Sequence, residues 1–359
     1  IIPMKYFLCF LFAINSICCI AKPVKHSGLN FYPADDSHLK YVGRVDFSDP
    51  LAPKFWAPGI YVQAKFKGTS LSIDINDEDL YGVTHNYLEI AIDNNPPFRI
   101  QTTGKTNHIK VADNLPPGVH TVTICKDTES NIGYISFIGV TCEKLLSLSM
   151  PKRKMEFIGD SITCGTGSDQ SVVKCDQGKW YDQHNAYMSY GPTTARALDA
   201  EWQLTSLSGI GLIHSCCNLK VTLPNIFDKV FLVQDSIEWN FSNYTPDVVT
   251  ICIGQNDGKQ DSVTFCSAYV NFIKVIREKY PKADIICLNS PMGNAQLTAM
   301  LKRYITGVQQ YFSSKGDSHV SHYFFSRSWN DGCGGHPSMA QHVLIAAELT
   351  AYVKQLKNW

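Results

Sequence analysis

Four short blocks in the second half of the chain carry side chains whose types fit acyl transfer. Ser161 lies in Phe157-Ile158-Gly159-Asp160-Ser161-Ile162-Thr163, where an apolar run gives way to a sharp turn that lifts a hydroxyl out of the chain's path. Gly209 follows Thr205-Ser206-Leu207-Ser208, Asn256 follows Ile251-Cys252-Ile253-Gly254-Gln255, and His336 stands in Gly334-Gly335-His336-Pro337-Ser338. A serine hydroxyl can attack an acyl carbon while a histidine takes its proton and later returns it to the leaving alcohol. The Ser161 and Gly209 N–H groups and the Asn256 amide supply donors for the oxyanion that forms. Each block alone also reads as ordinary turn chemistry, and Ser338 reads as a helix cap. Their shared position, three directly after a predicted strand and one before the last helix, makes them one candidate site.

The elements that must position these residues follow from the pattern of apolar residues. From about Ser147 onward, strands alternate with helical stretches. Strands are predicted at Met155–Ile158, Gln203–Leu207, Asp247–Ile253, Asp284–Leu288 and His322–Phe325, and helices near Tyr190–Ala200, Val263–Lys279, Ala295–Phe312 and Ser338–Leu356. That order makes an α/β domain on a parallel sheet, which gathers its chemistry at the carboxyl ends of the strands. Between about Gly28 and Cys142 the pattern is short strands and turns: Gly59–Phe66, Ser70–Ile75, Tyr87–Ile92, Gly118–Ile124 and Tyr134–Ile138, with Lys67-Gly68-Thr69 read as a turn. An antiparallel β-sandwich of the jelly-roll kind is expected there. The domains are therefore read as 22–148 and 149–359. Residues 166–189, long for a connection inside a compact domain, either line a wall of the site or form a disulfide-pinned surface excursion.

Composition narrows the classes. Lys+Arg 32 balance Asp+Glu 32, which argues against nucleic acid and anionic membrane surfaces as partners. Met4-Lys5 and the apolar run from Tyr6 to Ile14 and on to Ala21 have the form of a secretory signal. Residues 1–21 are thus assigned to a signal peptide with a few upstream residues, the mature chain starts near Lys22, and the protein is expected to be secreted and extracellular, with no membrane contact once the signal is gone. Removing Cys9, Cys18 and Cys19 leaves ten of the 13 cysteines, an even number that predicts disulfides without fixing their pairing. No Cys-x-x-Cys occurs, and neither His184 nor His214 has a partner at metal-ligand spacing, so no metal site is read. Asp160 and Asp257 are read as carboxylates that hold turns through backbone N–H groups.

Taken in order, Ser161 in GDSIT, Gly209 in SLSGIG, Asn256 in GQND and His336 in GGHPS resemble the SGNH, or GDSL-type, hydrolases over about Met155–Trp359. The α/β-hydrolase elbow fits worse, since Thr163 stands where its second glycine belongs. With a β-sandwich placed ahead of the catalytic domain, the chain resembles carbohydrate esterase family 2. That resemblance implies removal of O-acetyl groups from plant polysaccharide, acetylated xylan or glucomannan, through an acyl-serine and without metal or organic cofactor. The family pattern often supplies an acid two or three residues before the histidine, and here Cys333 and Gly334 occupy those places. His336 is then oriented by a backbone carbonyl of the Cys333–Gly335 stretch, Gly334 among them, in a Ser-His dyad, or by Asp331 from further up the loop. Trp329 and Trp180 lead the aromatic residues that could stack on a sugar ring, with core packing as the alternative for each. Two other functions stay open: a lipid or other short-chain acyl ester hydrolase, and a carbohydrate-binding protein without turnover.

Overall fold

The computed structural model describes residues 28–232 and 237–359; the signal segment 1–21, with Cys9, Cys18, Cys19 and the cleavage point at Ala21, lies outside the described residues. The first half is an antiparallel sheet of nine strands: β1 (Asn30–Pro33), β2 (Lys40–Val42), β3 (Lys54–Phe55), β4 (Tyr61–Asp77), β5 (Tyr87–Ile92), β6 (Phe98–Gln101), β7 (Thr106–Ala112), β8 (Gly118–Lys126) and β9 (Ile135–Leu146). The turn expected at Lys67-Gly68-Thr69 is not a turn. β4 runs straight through it, pairing with β8 before Gly68 and with β7 after Leu71, while its ladder to β9 shifts register between Lys67 and Leu71. That irregularity lets Val62, Ala64 and Phe66 on even positions and Leu71, Ile73 and Ile75 on odd positions all reach the core.

The second half contains β10 (Arg153–Gly159), α1 (Ser161–Cys164), α2 (Tyr190–Ala197), β11 (Ala200–Ser206), α3 (Leu223–Ile226), β12 (Val248–Cys252), α4 (Ser262–Lys279), β13 (Asp284–Leu288), α5 (Ala295–Ser314), β14 (Val320–Tyr323) and α6 (Met339–Lys357). Its strands form a parallel sheet in the order β11-β10-β12-β13-β14. Every residue of β11, β12 and β13 is buried, as expected of parallel strands covered on both faces. The order reverses around β10, whose neighbours are β11 on one side and β12 on the other, so the crevice of the sheet opens at the end of β10. Ser161 lies there.

Two apolar clusters each draw on both halves, and in one of them Tyr61 stacks on Trp202 with ring centroids 4.0 Å apart. Arg44 crosses the junction fully buried. Its guanidinium donates to the carbonyls of Phe227 and Lys229 at 2.5 and 2.7 Å and to Glu156 Oε1 at 3.1 Å. A charge buried so deeply is costly unless it is paired and bonded, and here both terminal nitrogens of the guanidinium are occupied. The junction is therefore packed and hydrogen-bonded rather than a sliding contact. Among the described residues no helix is long and apolar enough to cross a membrane.

Candidate active site

Strand register sets the site. Gly159 at the end of β10 pairs with Ser206 on one side and Cys252 on the other, so the loops carrying Ser161, Gly209 and Asn256 leave the sheet side by side. Gly159 is required by close approach: a Cβ there would meet Thr163 Oγ1 at 2.2 Å and the Cys252 carbonyl at 2.8 Å. Gly159→Ala should push the nucleophile turn away from β12 and lower turnover per folded molecule at least tenfold, together with a fall in melting temperature; a variant with full turnover would show that the turn can shift harmlessly.

Ser161 opens α1, and its Oγ lies 2.9 Å from His336 Nε2. The other ring nitrogen, Nδ1, lies 3.1 Å from the carbonyl of Cys333, which also accepts the His336 backbone N–H at 3.2 Å. A carbonyl only accepts, so Nδ1 carries the proton and Nε2 is left bare to receive one from Ser161. Neither Asp331 nor Gly334 supplies the orienting group. Asp331 is exposed and uses its backbone N–H on Gln341 Oε1 at 2.9 Å. The carbonyl is that of Cys333 because residues 333–335 form a 3-10 turn, with Gly334 at φ 62, ψ 23, that folds it back toward the residue three ahead. Ser338 then caps α6 by accepting from Gln341 N, so the cap and the proposed base belong to one loop.

The Cys333 carbonyl is itself held. Cys333 N–H donates to Gly167 O at 2.8 Å, Gly332 N–H to His336 O at 2.7 Å, and Cys333 is joined to Cys175 by a disulfide that ties the long 166–189 segment to the histidine loop. A second pair, Cys216–Cys217, joins neighbouring residues beside Gly209. Cys125, Cys142, Cys164, Cys252, Cys266 and Cys287 are free, so the disulfides expected from the even cysteine number form in two pairs and leave six thiols among the described residues. Cys175→Ser should reduce kcat by about tenfold through a wandering His336 and destabilise the fold by roughly 2–5 kcal/mol, read by turnover and by thermal unfolding. Unchanged kcat would mean that the Gly167 bonds suffice.

The remaining polar groups brace this arrangement. Asp160 accepts from Ile162 N–H at 3.1 Å, and Asp257 accepts from the N–H groups of Leu212, Ile213 and His214, at 2.9, 2.7 and 3.1 Å, holding the loop beyond Gly209. The Asn256 amide donates to Ile210 O at 2.9 Å, and its Nδ2 lies 3.5 Å from Asp160 Oδ2. Burial, assisted by the neighbouring Asp257 charge, pushes the Asp160 carboxyl up to about 7. Burial also lowers the His336 imidazole below its ordinary value, against the bond to the Cys333 carbonyl.

One buried acid was invisible to the sequence reading. Glu129, just beyond β8 in the antiparallel half, reaches Thr166 Oγ1 at 2.8 Å and Ser208 N–H at 2.7 Å, bonds Ser208 Oγ, and lies 3.2 Å from His184 Nε2. The 166–189 segment is fastened to the same half by Arg99, which donates to the carbonyls of Asp182 and His184, and by Asn185, which donates to Glu89. Of the two tryptophans, Trp180 is 51 % exposed, its ring edge-on to His184 at 4.5 Å. Trp329 is 5 % exposed, with the Arg327 guanidinium 4.1 Å from its ring centre. It is a core residue, and no face is open for a sugar.

Two family models match the chain: Carbohydrate esterase 2 N-terminal over residues 41–151 and GDSL-like Lipase/Acylhydrolase over residues 157–343. The chain is 35% identical over 340 residues to the cellulase/esterase CelE of Acetivibrio thermocellus, covering 90% of this chain and only 40% of that protein's length. It is 29% identical over 336 residues to an acetylxylan esterase / glucomannan deacetylase of Cellvibrio japonicus, covering 91% of each. The structure of a family two carbohydrate esterase from Clostridium thermocellum in complex with cellohexaose superposes with a TM-score of 0.81 at 32% identity, covering 89% of this chain and 99% of that one. With both halves matched and the Ser161–His336 pair assembled at the sheet's switch point, the chain belongs to the family 2 carbohydrate esterases, whose catalytic half is of the GDSL type.

Proposed function

We propose that the protein is a secreted acetyl esterase acting on acetylated plant polysaccharide, xylan or glucomannan, by a Ser161–His336 dyad. Ser161 Oγ attacks the acetyl carbonyl as its proton passes to His336 Nε2. The oxyanion is held by the N–H groups of Ser161 and Gly209 and by the Asn256 amide, which keeps its bond to Ile210 O and gives up the long 3.5 Å contact to Asp160 Oδ2. On collapse, the sugar oxygen leaves with the proton from His336, and the acetyl group remains on Ser161 as an ester. Water then repeats the sequence, His336 taking its proton, and acetate departs from a regenerated serine. The Cys333 carbonyl stands in for a third side chain, keeping the Nδ1–H tautomer while the ring gains and loses a proton at Nε2. The observation that carries this reading is the 2.9 Å contact between Ser161 Oγ and His336 Nε2, with Nδ1 committed to Cys333 O. The substrate rests on the Cellvibrio japonicus relative, an acetylxylan esterase / glucomannan deacetylase. Secretion rests on the apolar segment after Met4-Lys5 and the two disulfides.

The test is acetate release from acetylated xylan and acetylated glucomannan, with Ser161→Ala beside the parent. Release from at least one polymer, lost in the variant, supports the reading. Cleavage of aryl acetates with none from either polymer removes the polysaccharide. A second reading, capture of a glucan chain in the same cleft, is favoured by the cellohexaose bound to the Clostridium thermocellum enzyme. Cellohexaose competing with polymer deacetylation would support it.

A further inference from the structure

We infer that Glu129, supplied by the antiparallel half, is a positioning residue for the oxyanion hole of the catalytic half. An oxyanion hole built from two backbone N–H groups is a distance between two loops. Here one donor lies on the turn after β10 and the other on the loop after β11. The loop after β11 runs over residues 207–222 before the next helix, so strand register alone does not set the separation of the donors to the fraction of an ångström that such a hole requires.

Glu129 grips both. On the β11 side it takes the backbone N–H and the hydroxyl of Ser208, the residue directly before Gly209. On the β10 side it takes the hydroxyl of Thr166, whose own N–H donates to the Ser161 carbonyl at 3.1 Å. The Ser208 and Thr166 hydroxyls also lie 2.8 Å apart; each has one proton to give, so two of the three contacts among acid and hydroxyls are hydrogen bonds at any moment, and either pair of them closes the ring that links the two loops. The fourth contact, at 3.2 Å, is His184 Nε2 from the long segment; its Nδ1 faces the N–H of Gly167, which in turn receives the Cys333 N–H on its carbonyl. The ring therefore touches the nucleophile, the glycine donor and the carbonyl that orients the base.

A fully buried carboxylate, 0 % exposed, is costly unless its lone pairs are filled, and here they are. Burial alone would raise the Glu129 carboxyl, but the bonds from His184 and Ser208 hold it down at about 2, so it stays a charged acceptor across any working pH. Glutamine in its place has one acceptor oxygen and two amide protons. It cannot accept from Ser208 N–H, Ser208 Oγ, Thr166 Oγ1 and His184 together.

This inference rests on the esterase reading above, and its test separates the two. Parent, Glu129→Gln, Ser208→Ala and the double variant are compared on 4-nitrophenyl acetate, with active sites counted by a slow organophosphate titrant. Per titrated site, kcat for Glu129→Gln should fall on the order of 10²-fold with KM within about threefold. The phosphylation rate should fall in parallel, because its phosphoryl oxygen enters the same hole. Ser208→Ala should lose about tenfold, and the double variant should be no worse than Glu129→Gln, since both break one ring. Unchanged kcat and phosphylation rate per site in Glu129→Gln overturn the inference, including the case in which only the titratable fraction falls, which is a folding role alone. If Glu129→Gln does not fold, Ser208→Ala decides: full per-site turnover overturns the inference, and the tenfold loss with unchanged KM supports it. A parent that titrates but turns over no ester overturns the esterase reading itself.

Discussion

Ser161→Ala is expected to lower ester turnover by a factor on the order of 10⁴ or more while leaving the protein folded and able to bind glycan. Ser161 is 7 % exposed, and among the described residues the side-chain partner of its hydroxyl is His336 Nε2. Alanine fills the same backbone position without a clash, and losing one hydrogen bond costs the fold about 1 kcal/mol. The acyl-enzyme cannot form without Oγ, so the loss falls on kcat; the residual rate over water comes from the oxyanion donors and binding alone. Acetate release and isothermal binding of cello- or xylo-oligosaccharides, measured on one preparation, check both halves of this expectation. Retained turnover would remove Ser161 as the nucleophile, and lost binding with intact folding would mean that the hydroxyl also contacts the sugar.

The second large effect concerns His336. His336→Ala should cost a factor similar to that for Ser161→Ala, and the double variant should be little worse than either, because the two side chains act as one unit. The pH profile carries further information. The base must be neutral to accept a proton, and burial holds the imidazole below its ordinary value. The neutral form therefore persists to lower pH than for a free histidine. The acid limb of kcat/KM should fall below about pH 6.5, with activity lost as pH drops through it. The Asp160 carboxyl, pushed up to about 7 by burial, titrates nearby, so Asp160→Asn is the control. A limb unchanged in that variant belongs to His336, and a limb that vanishes belongs to Asp160. A limb above the ordinary histidine value would contradict the burial argument.

Much of this was legible because it is local. The apolar runs that became β10, β11 and β12, and the turn residues after them, needed only a few neighbours in sequence to be read. Parallel register then brings any such set of loops to one edge. The parallel domain, the antiparallel domain ahead of it and the family followed from that. Where local reading failed, a distant partner decided. Lys67-Gly68-Thr69 has the composition of a turn, yet β9 pairs along both sides of it and keeps β4 as one strand. Trp329 lies just upstream of Asp331 and the histidine loop, which suggested a platform, yet its backbone N–H bonds Pro291 O and its ring joins the core.

The sequence by itself determined the reagents: a serine, a glycine and an asparagine, each just beyond a strand whose apolar run set its place in the sheet, and a histidine ahead of the last helix. Only the tertiary structure decided how those reagents are held. A backbone carbonyl of the Cys333–Gly335 stretch was expected for His336, but the turn alone made it that of Cys333; Cys175 finds Cys333 across 158 residues, and Glu129 meets Ser208 across 79 residues and a domain boundary. Backbone acceptors and long-range pairs leave no periodicity or spacing to read. They exist only once the chain has folded and brought segments distant in sequence into contact.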